Sequence, residues 1–174
     1  MNPSSIKTSI NTHVRVSTIQ KVVFAGALAL TLSCSLRTTR ADETCSSPYL
    51  ARIEGQEEFV YVWTLGVEGL GDGADKLVTV DVKPASPTYG KVINSVSVEG
   101  RNEAHHGGFT DDRRQLWLAG LDTSRVFIFD VFTDPAKPRY VKTIDNFEKT
   151  TGGAIGPHGA YELQGRVLIP CLSN

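Results

Sequence analysis

The chain has 174 residues, of which 40% are hydrophobic and 21% are charged, and its formal net charge is −1. This composition fits one globular domain and excludes a chain that is disordered throughout. Residues 1–41 hold five basic residues and no acid, which leaves 13 of the 18 Lys and Arg against all 19 Asp and Glu, a net charge of −6. Since nucleic-acid surfaces need clustered Lys and Arg, this acidic remainder argues against nucleic acid as a partner.

Residues 1–41 have the pattern of an export signal. A basic, Ser/Thr-rich start precedes an apolar run at residues 22–32 and a small-x-small site at residues 39–41. The apolar run is shorter than the roughly 20 residues of a membrane-spanning helix. The pattern predicts a cleaved signal peptide at 1–41, a periplasmic protein that starts at residue 42, and no membrane association after cleavage. An organelle transit peptide and an uncleaved anchor remain open alternatives.

Short runs of β-branched and aromatic residues follow, each bounded by Gly, Pro, Asp or Asn, and they predict strands. They are residues 59–65, 76–82, 92–98, 115–118, 126–131, 140–144 and 166–169. None of the intervals has room for a long helix. Within residues 76–82, valines alternate with Leu77, Thr79 and Asp81, which predicts that the valines lie on the buried face.

Two features repeat with a period close to 50 residues. Residues 75–82 and their Pro-x-x-Pro turn recur at residues 124–131, with an offset of 49 at Asp81 and Asp130 and of 51 at the prolines. His106 and His158, each followed by two small residues and an aromatic, are 52 apart. This period predicts an all-β propeller with kelch/WD40-like blades of about 50 residues. Residues 42–174 would then be the N-terminal part of an incomplete propeller, with about two and a half blades by that period.

Residues 101–108 (RNEAHHGG) and their later echo at residues 156–159 (GPHG) are the sharpest chemical feature. Imidazole binds copper, zinc and iron, and equivalent loops of successive blades converge on the channel of a propeller. His105, His106 and His158 could therefore meet around one metal ion. The alternative is that His106 and His158 are structural, hydrogen-bonded beside the turn glycines.

Three further sites are weaker candidates. Glu103 could accept a hydrogen bond from a ligating imidazole, although a solvated loop glutamate is the simpler interpretation. Cys45 is a possible contact for a thiol or for selenium, and its pairing with Cys171 stays open. Asp111 and Asp112 could act as acid and base, but their spacing favours a turn.

Six motifs follow one another between residues 42 and 138. They are residues 42–49 (DETCSSPY), 59–66 (FVYVWTLG), 75–82 (DKLVTVDV), 101–106 (RNEAHH), 108–114 (GFTDDRR) and 127–138 (FIFDV through DPAKP). Together they resemble the bacterial branch of the selenium-binding protein / methanethiol oxidase family, and the resemblance extends over residues 42–174.

The resemblance implies a seven-bladed propeller and a periplasmic, copper-dependent enzyme. Such an enzyme converts methanethiol, O2 and water to formaldehyde, hydrogen sulfide and hydrogen peroxide, and its copper ligands here would be His105, His106 and His158. The sequence departs from the family at Gly159, where the branch has Thr, and at Thr64, where eukaryotic members carry a selenium-linked cysteine. Selenium binding through position 64 is therefore not expected.

Two other functions remain open at this stage. One is a non-catalytic propeller module that binds selenium, thiols or a protein partner. The other is an unrelated propeller enzyme, such as a calcium-dependent lactonase. The sequence gives no indication of oligomeric state, and a chain of this length is expected to be inactive without the remaining blades.

Overall fold

The computed structural model describes residues 47–173 and is almost entirely β-structure over that range. Its elements are β1 (Phe59–Thr64), β2 (Lys76–Asp81), β3 (Val92–Ser97), β4 (Ala104–Phe109), β5 (Gln115–Gly120), β6 (Arg125–Asp130), β7 (Arg139–Ile144), α1 (Phe147–Thr151), β8 (Ile155–Pro157), β9 (Tyr161–Leu163), β10 (Arg166–Leu168) and β11 (Cys171–Ser173). The predicted all-β class is confirmed. The predicted signal peptide at 1–41 lies outside the described residues.

Every strand pairs in the antiparallel sense with its neighbours. Strands β1, β2 and β3 form one sheet in that order, and β4 to β7 form a four-stranded sheet in chain order. Next, β8 pairs with β11 and β9 pairs with β10, so two short pairs are nested in one interrupted hairpin. The repeat predicted from the sequence therefore corresponds to successive blade-like sheets.

Strands β2 and β6 each end at an aspartate that caps the turn after it. The carboxylate of Asp81 accepts hydrogen bonds from the N–H of Lys83 (2.9 Å) and from the hydroxyl of Ser86. Asp130 accepts one from the N–H of Phe132 at 3.0 Å. Aspartate favours such turns because its short side chain reaches backbone groups two residues ahead. The repeated aspartates are thus a structural feature of the sequence repeat.

The hydrophobic core lies between the three-stranded and four-stranded sheets. Its buried members are Leu77, Val98, Leu116, Leu118, Phe127, Phe129 and Val131. Trp63 packs against this cluster with its ring centroid 5.6 Å from that of Phe127, and its Nε1–H donates to the carbonyl of Ala119 at 3.0 Å. Full burial of a Phe or Leu side chain contributes about 1.5–3 kcal/mol, so this cluster fixes the two sheets against each other.

The buried face of β2 differs from the sequence prediction. Leu77 and Thr79 are fully buried, whereas Val78 and Val80 are half-buried. The predicted alternation is confirmed, but the assignment of the valines to the buried face is wrong. Leu77 packs with Phe129 in the core, so the neighbouring sheet covers the leucine face. Alternation within one strand cannot indicate which face a distant sheet will cover.

One short helix interrupts the strands. Helix α1 (Phe147–Thr151) ends at Gly152, which adopts a left-handed conformation with φ of 78°. Glycine is favoured there because a Cβ would clash in that conformation. Among residues 47–173, no helix is long and apolar enough to cross a membrane.

Candidate metal centre

The two adjacent histidines lie where β4 departs from regular pairing with β5. From Ala104 to Gly107, β4 advances by three residues while β5 advances by two, which is a β-bulge. In a regular strand His105 and His106 would point to opposite faces. The bulge instead leaves both imidazoles on one side, with ring centroids 4.6 Å apart. Sequence analysis placed these histidines in a loop, whereas they lie in a bulged strand.

His158 completes a cluster of three imidazoles. It lies in the short break between β8 and β9, at the point of the repeat that corresponds to His106. Its ring centroid is 4.4 Å from that of His105 and 4.9 Å from that of His106. One ring nitrogen from each residue lies within 4.8 Å of the other two. The structure therefore brings together His106 and His158, which the repeat relates, and His105, the neighbour of His106.

Backbone hydrogen bonds hold the two histidine-bearing segments side by side. The N–H of His106 donates to the carbonyl of His158 at 3.2 Å, and the N–H of His158 donates to the carbonyl of Pro170 at 2.8 Å. A Cβ at buried Gly159 would lie 3.3 Å from the Cβ of His106, so a side chain at that position would crowd His106. The close approach of the segments thus depends on main-chain contacts and on a missing side chain.

The electrostatic environment keeps His105 in the neutral form that binds metals. Burial lowers the pKa of His105, and the neighbouring His106 and His158 lower it further because cationic rings repel one another. At neutral pH His105 is therefore neutral, with a lone pair available for a metal ion. Among residues 47–173, no protein group forms a hydrogen bond with a ring nitrogen of the cluster. The alternative that His106 and His158 are structural residues, hydrogen-bonded beside the turn glycines, stays open, because their backbones are hydrogen-bonded to each other.

The donor set fits a first-row transition metal. Imidazole nitrogens suit copper, zinc and iron, whereas calcium and magnesium prefer oxygen ligands. Two nitrogens bound to one ion at about 2.0–2.1 Å lie at most about 4.2 Å apart. The observed limit of 4.8 Å is slightly wider, so small side-chain rotations would close the site. Three protein ligands also leave coordination positions for a substrate.

Glu103 lies beside Asp122 in the structure. A hydrogen bond with Asp122 raises the pKa of the Glu103 carboxyl, and the charge of Asp122 raises it further. Glu103 also adopts a left-handed backbone conformation with φ of 56°, at the entry to β4. Its carboxyl therefore pairs with that of Asp122 at the base of the strand, and its carbonyl accepts a hydrogen bond from the N–H of Leu121 at 3.1 Å. An orienting contact from Glu103 to an imidazole stays a prediction.

Asp111 and Asp112 form the turn that sequence analysis favoured. The carboxylate of Asp112 accepts a hydrogen bond from the N–H of Arg114 at 3.0 Å, and Asp111 accepts one from the N–H of Gly165 at 2.7 Å. The guanidinium of Arg113 lies 5.2 Å from the ring centroid of Phe109. These contacts stabilise the tip of the β4–β5 hairpin and link it to the next hairpin.

The described residues contain one of the two cysteines considered in the sequence, Cys171. Cys45 lies outside the described residues, so its contact with a thiol or selenium and its pairing with Cys171 stay predictions. Cys171 pairs in β11 with Pro157, the residue before His158. Burial raises the pKa of the Cys171 thiol, which keeps it protonated at neutral pH.

Sequence reasoning missed the bulge, strand β4 itself, and a buried carboxylate nearby. Glu162 is 5% exposed in β9, and its Oε1 accepts a hydrogen bond from the N–H of Phe109 at 2.9 Å. Gly107 and Gly108 weaken the strand pattern of β4, because glycine is depleted in strands. The same glycine pair was the available signal, since glycine inside a strand marks a bulge or a close backbone approach.

Comparison with known protein families gives one match over most of the chain. A model of the 56 kDa selenium-binding protein family (SBP56) matches residues 39–174. That range contains all three histidines of the cluster.

The proteins similar to the chain include two curated relatives and one solved structure. Methanethiol oxidase of Ruegeria pomeroyi is 62% identical over 150 residues, which cover 86% of this chain and 34% of the relative. Methanethiol oxidase of a Hyphomicrobium species is 54% identical over 158 residues, which cover 90% and 36%. A hypothetical selenium-binding protein from Sulfolobus tokodaii superposes with a TM-score of 0.54 and 31% identity, over 58% of this chain and 26% of that chain. The chain spans about a third of the length of the two curated relatives.

Proposed function

Because this chain belongs to the 56 kDa selenium-binding protein family, we propose that the whole protein oxidises methanethiol. The reaction consumes methanethiol, O2 and water and yields formaldehyde, hydrogen sulfide and hydrogen peroxide. The convergence of His105, His106 and His158 within 4.8 Å carries the proposal, because three imidazoles this close could hold a metal ion, and they lie inside the family-matched region. Activity is assigned to the whole protein, since the chain spans about a third of its relatives' length.

The three histidines would hold copper, each with one imidazole nitrogen. Bound copper supplies a soft centre for a thiolate sulfur and a path for electrons to oxygen, which ordinary side chains lack. The bulge of β4 directs two of the imidazoles, and the bond from the N–H of His106 to the carbonyl of His158 fixes the third beside them. A preformed cluster of this kind lowers the entropy cost of binding the ion.

The exposure of the cluster suits a small substrate. His106 is exposed, whereas His105 and His158 are half-buried. A small thiol can therefore reach the open side of the site while the backbone supports the ligands from the other side. The neutral state of His105 at pH 7 leaves its ring free to bind the ion without first losing a proton.

Location and architecture form the second part of the proposal. A signal peptide at residues 1–41 would export the protein to the periplasm, and the blade-like sheets would join further blades in a closed propeller of seven. Closure would place the histidine-bearing strands along the central channel, because the innermost strands of propeller blades face that channel. Selenium binding, which the family's name describes, is proposed as a property of the same soft metal site.

The experiment is a product assay on the whole polypeptide that the gene encodes. Purified protein loaded with copper should release sulfide and peroxide from methanethiol in equal amounts and consume O2. His158→Ala should abolish both products, because a ligand is lost. Lys142→Ala, an exposed change on β7, serves as the matched control and should retain full activity. Copper binding without product release would instead favour a non-catalytic thiol-binding or selenium-binding module.

A further inference from the structure

A buried carboxylate of β9 reaches across to the strand that carries two of the histidines. Glu162 is 5% exposed, and its Oε1 accepts a hydrogen bond from the N–H of Phe109, the last residue of β4, at 2.9 Å. A buried carboxylate is costly unless hydrogen bonds satisfy it. Phe109 offers a backbone donor that is not used in pairing with β5. Each group therefore satisfies the other across the gap between two blade-like sheets.

This contact lies on the same side of β4 as the contact between the histidine backbones. The N–H of His106 donates to the carbonyl of His158 at 3.2 Å, and the N–H of Phe109 donates to Glu162. Both bonds advance in the same direction along the two segments, so β4 and residues 158–162 run parallel. Because the two donors on β4 are three residues apart, the two bonds set both the separation and the register of the segments. A single bond would leave them free to pivot about His106.

Gly108 makes room for the carboxylate. A Cβ at this position would lie 3.0 Å from Oε1 of Glu162 and closer still to the carbonyl of Ala160. Contacts under about 3 Å with backbone atoms require the neighbouring chain to move. The Glu162 side chain of β9 can therefore pack against β4 only because Gly108 has no side chain.

The backbone of Glu162 is held independently of its carboxylate. Its carbonyl accepts a hydrogen bond from the hydroxyl of Ser47, which is itself buried. This second contact anchors β9 from the other direction, so the carboxylate projects from a fixed point. Because the backbone of Glu162 is held in place, its carboxylate can fix the position of β4, whereas a mobile carboxylate would move with β4.

We propose that Glu162 is a positioning residue that sets the spacing between the bulge of β4 and His158. It is not one of the three clustered histidines and acts through the N–H of Phe109. An effect of Glu162 on copper binding rests on the proposed copper site. Its effect on the position of β4 rests only on its own contacts. The role requires an oxygen acceptor and not a negative charge, because a backbone N–H is a neutral donor.

The test compares two substitutions that differ in hydrogen bonding. Glu162→Gln keeps an oxygen at the acceptor position, whereas Glu162→Leu has similar bulk and no acceptor. Copper(II) affinity, measured by chelator competition on the full chain, should fall by about 10- to 100-fold in the leucine variant and stay within about threefold in the glutamine variant. Amide hydrogen exchange of residues 104–109, measured without metal, should rise in the leucine variant alone.

A core variant separates positioning from general loss of stability. Phe129→Leu loosens the core against which the Phe109 side chain packs, but it changes neither the Glu162 carboxylate nor the backbone N–H of Phe109. It should therefore retain copper affinity within about threefold. Equal losses in the glutamine and leucine variants, or in the leucine and core variants, would overturn the proposal. So would unchanged exchange of β4 in Glu162→Leu. If the unmodified protein binds no copper, the copper proposal fails, while the metal-free exchange measurement still decides the role of Glu162.

Discussion

Strands β6 and β4 belong to one sheet, but β6 contributes buried core residues and β4 carries two of the clustered histidines. From Arg125 to Asp130, β6 pairs with β5 without a break, and its residues 126–129 are buried. Strand β4 pairs with the other edge of β5, but it is bulged, contains two glycines and exposes His106. The difference shows how one sheet separates stability from chemistry. The regular strand β6 packs in the core, and the bulged strand β4 is supported by that sheet and orients two imidazoles.

The irregular strand depends on contacts that the regular strand does not need. Strand β4 is held from outside the sheet by the carbonyl of His158, at the bulge, and by the carboxylate of Glu162, at its last residue. By contrast, β6 is held by ladder bonds and by burial in the core. Substitutions in the two strands should therefore have separable effects on folding and on metal binding, and the predictions below test that separation.

The largest expected effect on stability comes from the core of β6. Phe129→Ala should lower the free energy of unfolding by about 3–5 kcal/mol, because it removes a large, fully buried side chain and leaves a cavity. Urea denaturation of the purified protein measures this change. Phe132→Ala, a change at a 55% exposed side chain, is the matched control and should cost less than about 1 kcal/mol. Equal losses in the two variants would contradict the assignment of the core.

The next largest effect is expected where β2 meets the segment before β4. Asp75 is fully buried, and its carboxylate accepts hydrogen bonds from the N–H groups of Gly66 (2.7 Å) and Asn102 (2.9 Å). Asp75→Ala should cost about 2–4 kcal/mol, because it leaves buried donors without partners. Asp75→Asn keeps one oxygen acceptor and should cost less. Urea denaturation of both variants checks the order, and a larger loss in the asparagine variant would contradict it.

A smaller expected effect concerns how stability depends on pH, which should differ between β4 and β6. The pKa of His105 is lowered by burial and then by His106 and His158, so the unfolded chain takes up a proton more readily than the folded chain. Stability that is fully present above about pH 6.5 should therefore begin to fall as the pH drops below that value. His105→Gln should remove this first decline, as measured by thermal melting between pH 7 and pH 5. An unchanged decline in the variant would contradict the account.

The capped end of β6 should respond in a different window of pH. Hydrogen bonds from Thr133 and then Arg139 lower the pKa of Asp130, so its stabilisation persists until the pH falls below the ordinary range of a carboxyl. His105→Gln should leave this later decline, below about pH 4, in place. As the pH falls, stability should therefore decline first because of His105 in β4 and later because of Asp130 at the end of β6.

The smallest effect on stability is expected at the exposed ligand itself. His106→Ala should change the free energy of unfolding by less than about 0.5 kcal/mol, because the side chain is exposed and forms no hydrogen bond within the described residues. The same variant should bind copper more weakly. Denaturation and chelator competition on one preparation test both statements. A loss of several kcal/mol would show that the imidazole is structural.

The sequence predicted the regular part of the fold better than the site. The predicted strands at 59–65, 76–82 and 126–131 agree with β1, β2 and β6 within one residue at each end, because β-branched and aromatic runs bounded by turn residues are a local signal. The 52-residue spacing of His106 and His158 likewise selected the residues that meet. Repetition carries three-dimensional information because equivalent positions of successive units lie side by side.

The remainder of the site could not be predicted, because it depends on contacts between segments distant in sequence. The bulge of β4 follows from pairing with β5 and from the approach of residues 158–162. Glu162 gains its role from Phe109, which is 53 residues away. For the same reason the valines of β2 were assigned to the wrong face, since Leu77 is covered by a separate sheet.

The central claim is that three imidazoles from two segments hold one copper ion. Electron paramagnetic resonance of the copper(II)-loaded whole protein, combined with metal analysis, tests it most directly. The account predicts one copper per chain with coupling to imidazole nitrogen, and loss of both in a variant with alanine at His105, His106 and His158. Retention of the same signal and stoichiometry in that variant would contradict the account.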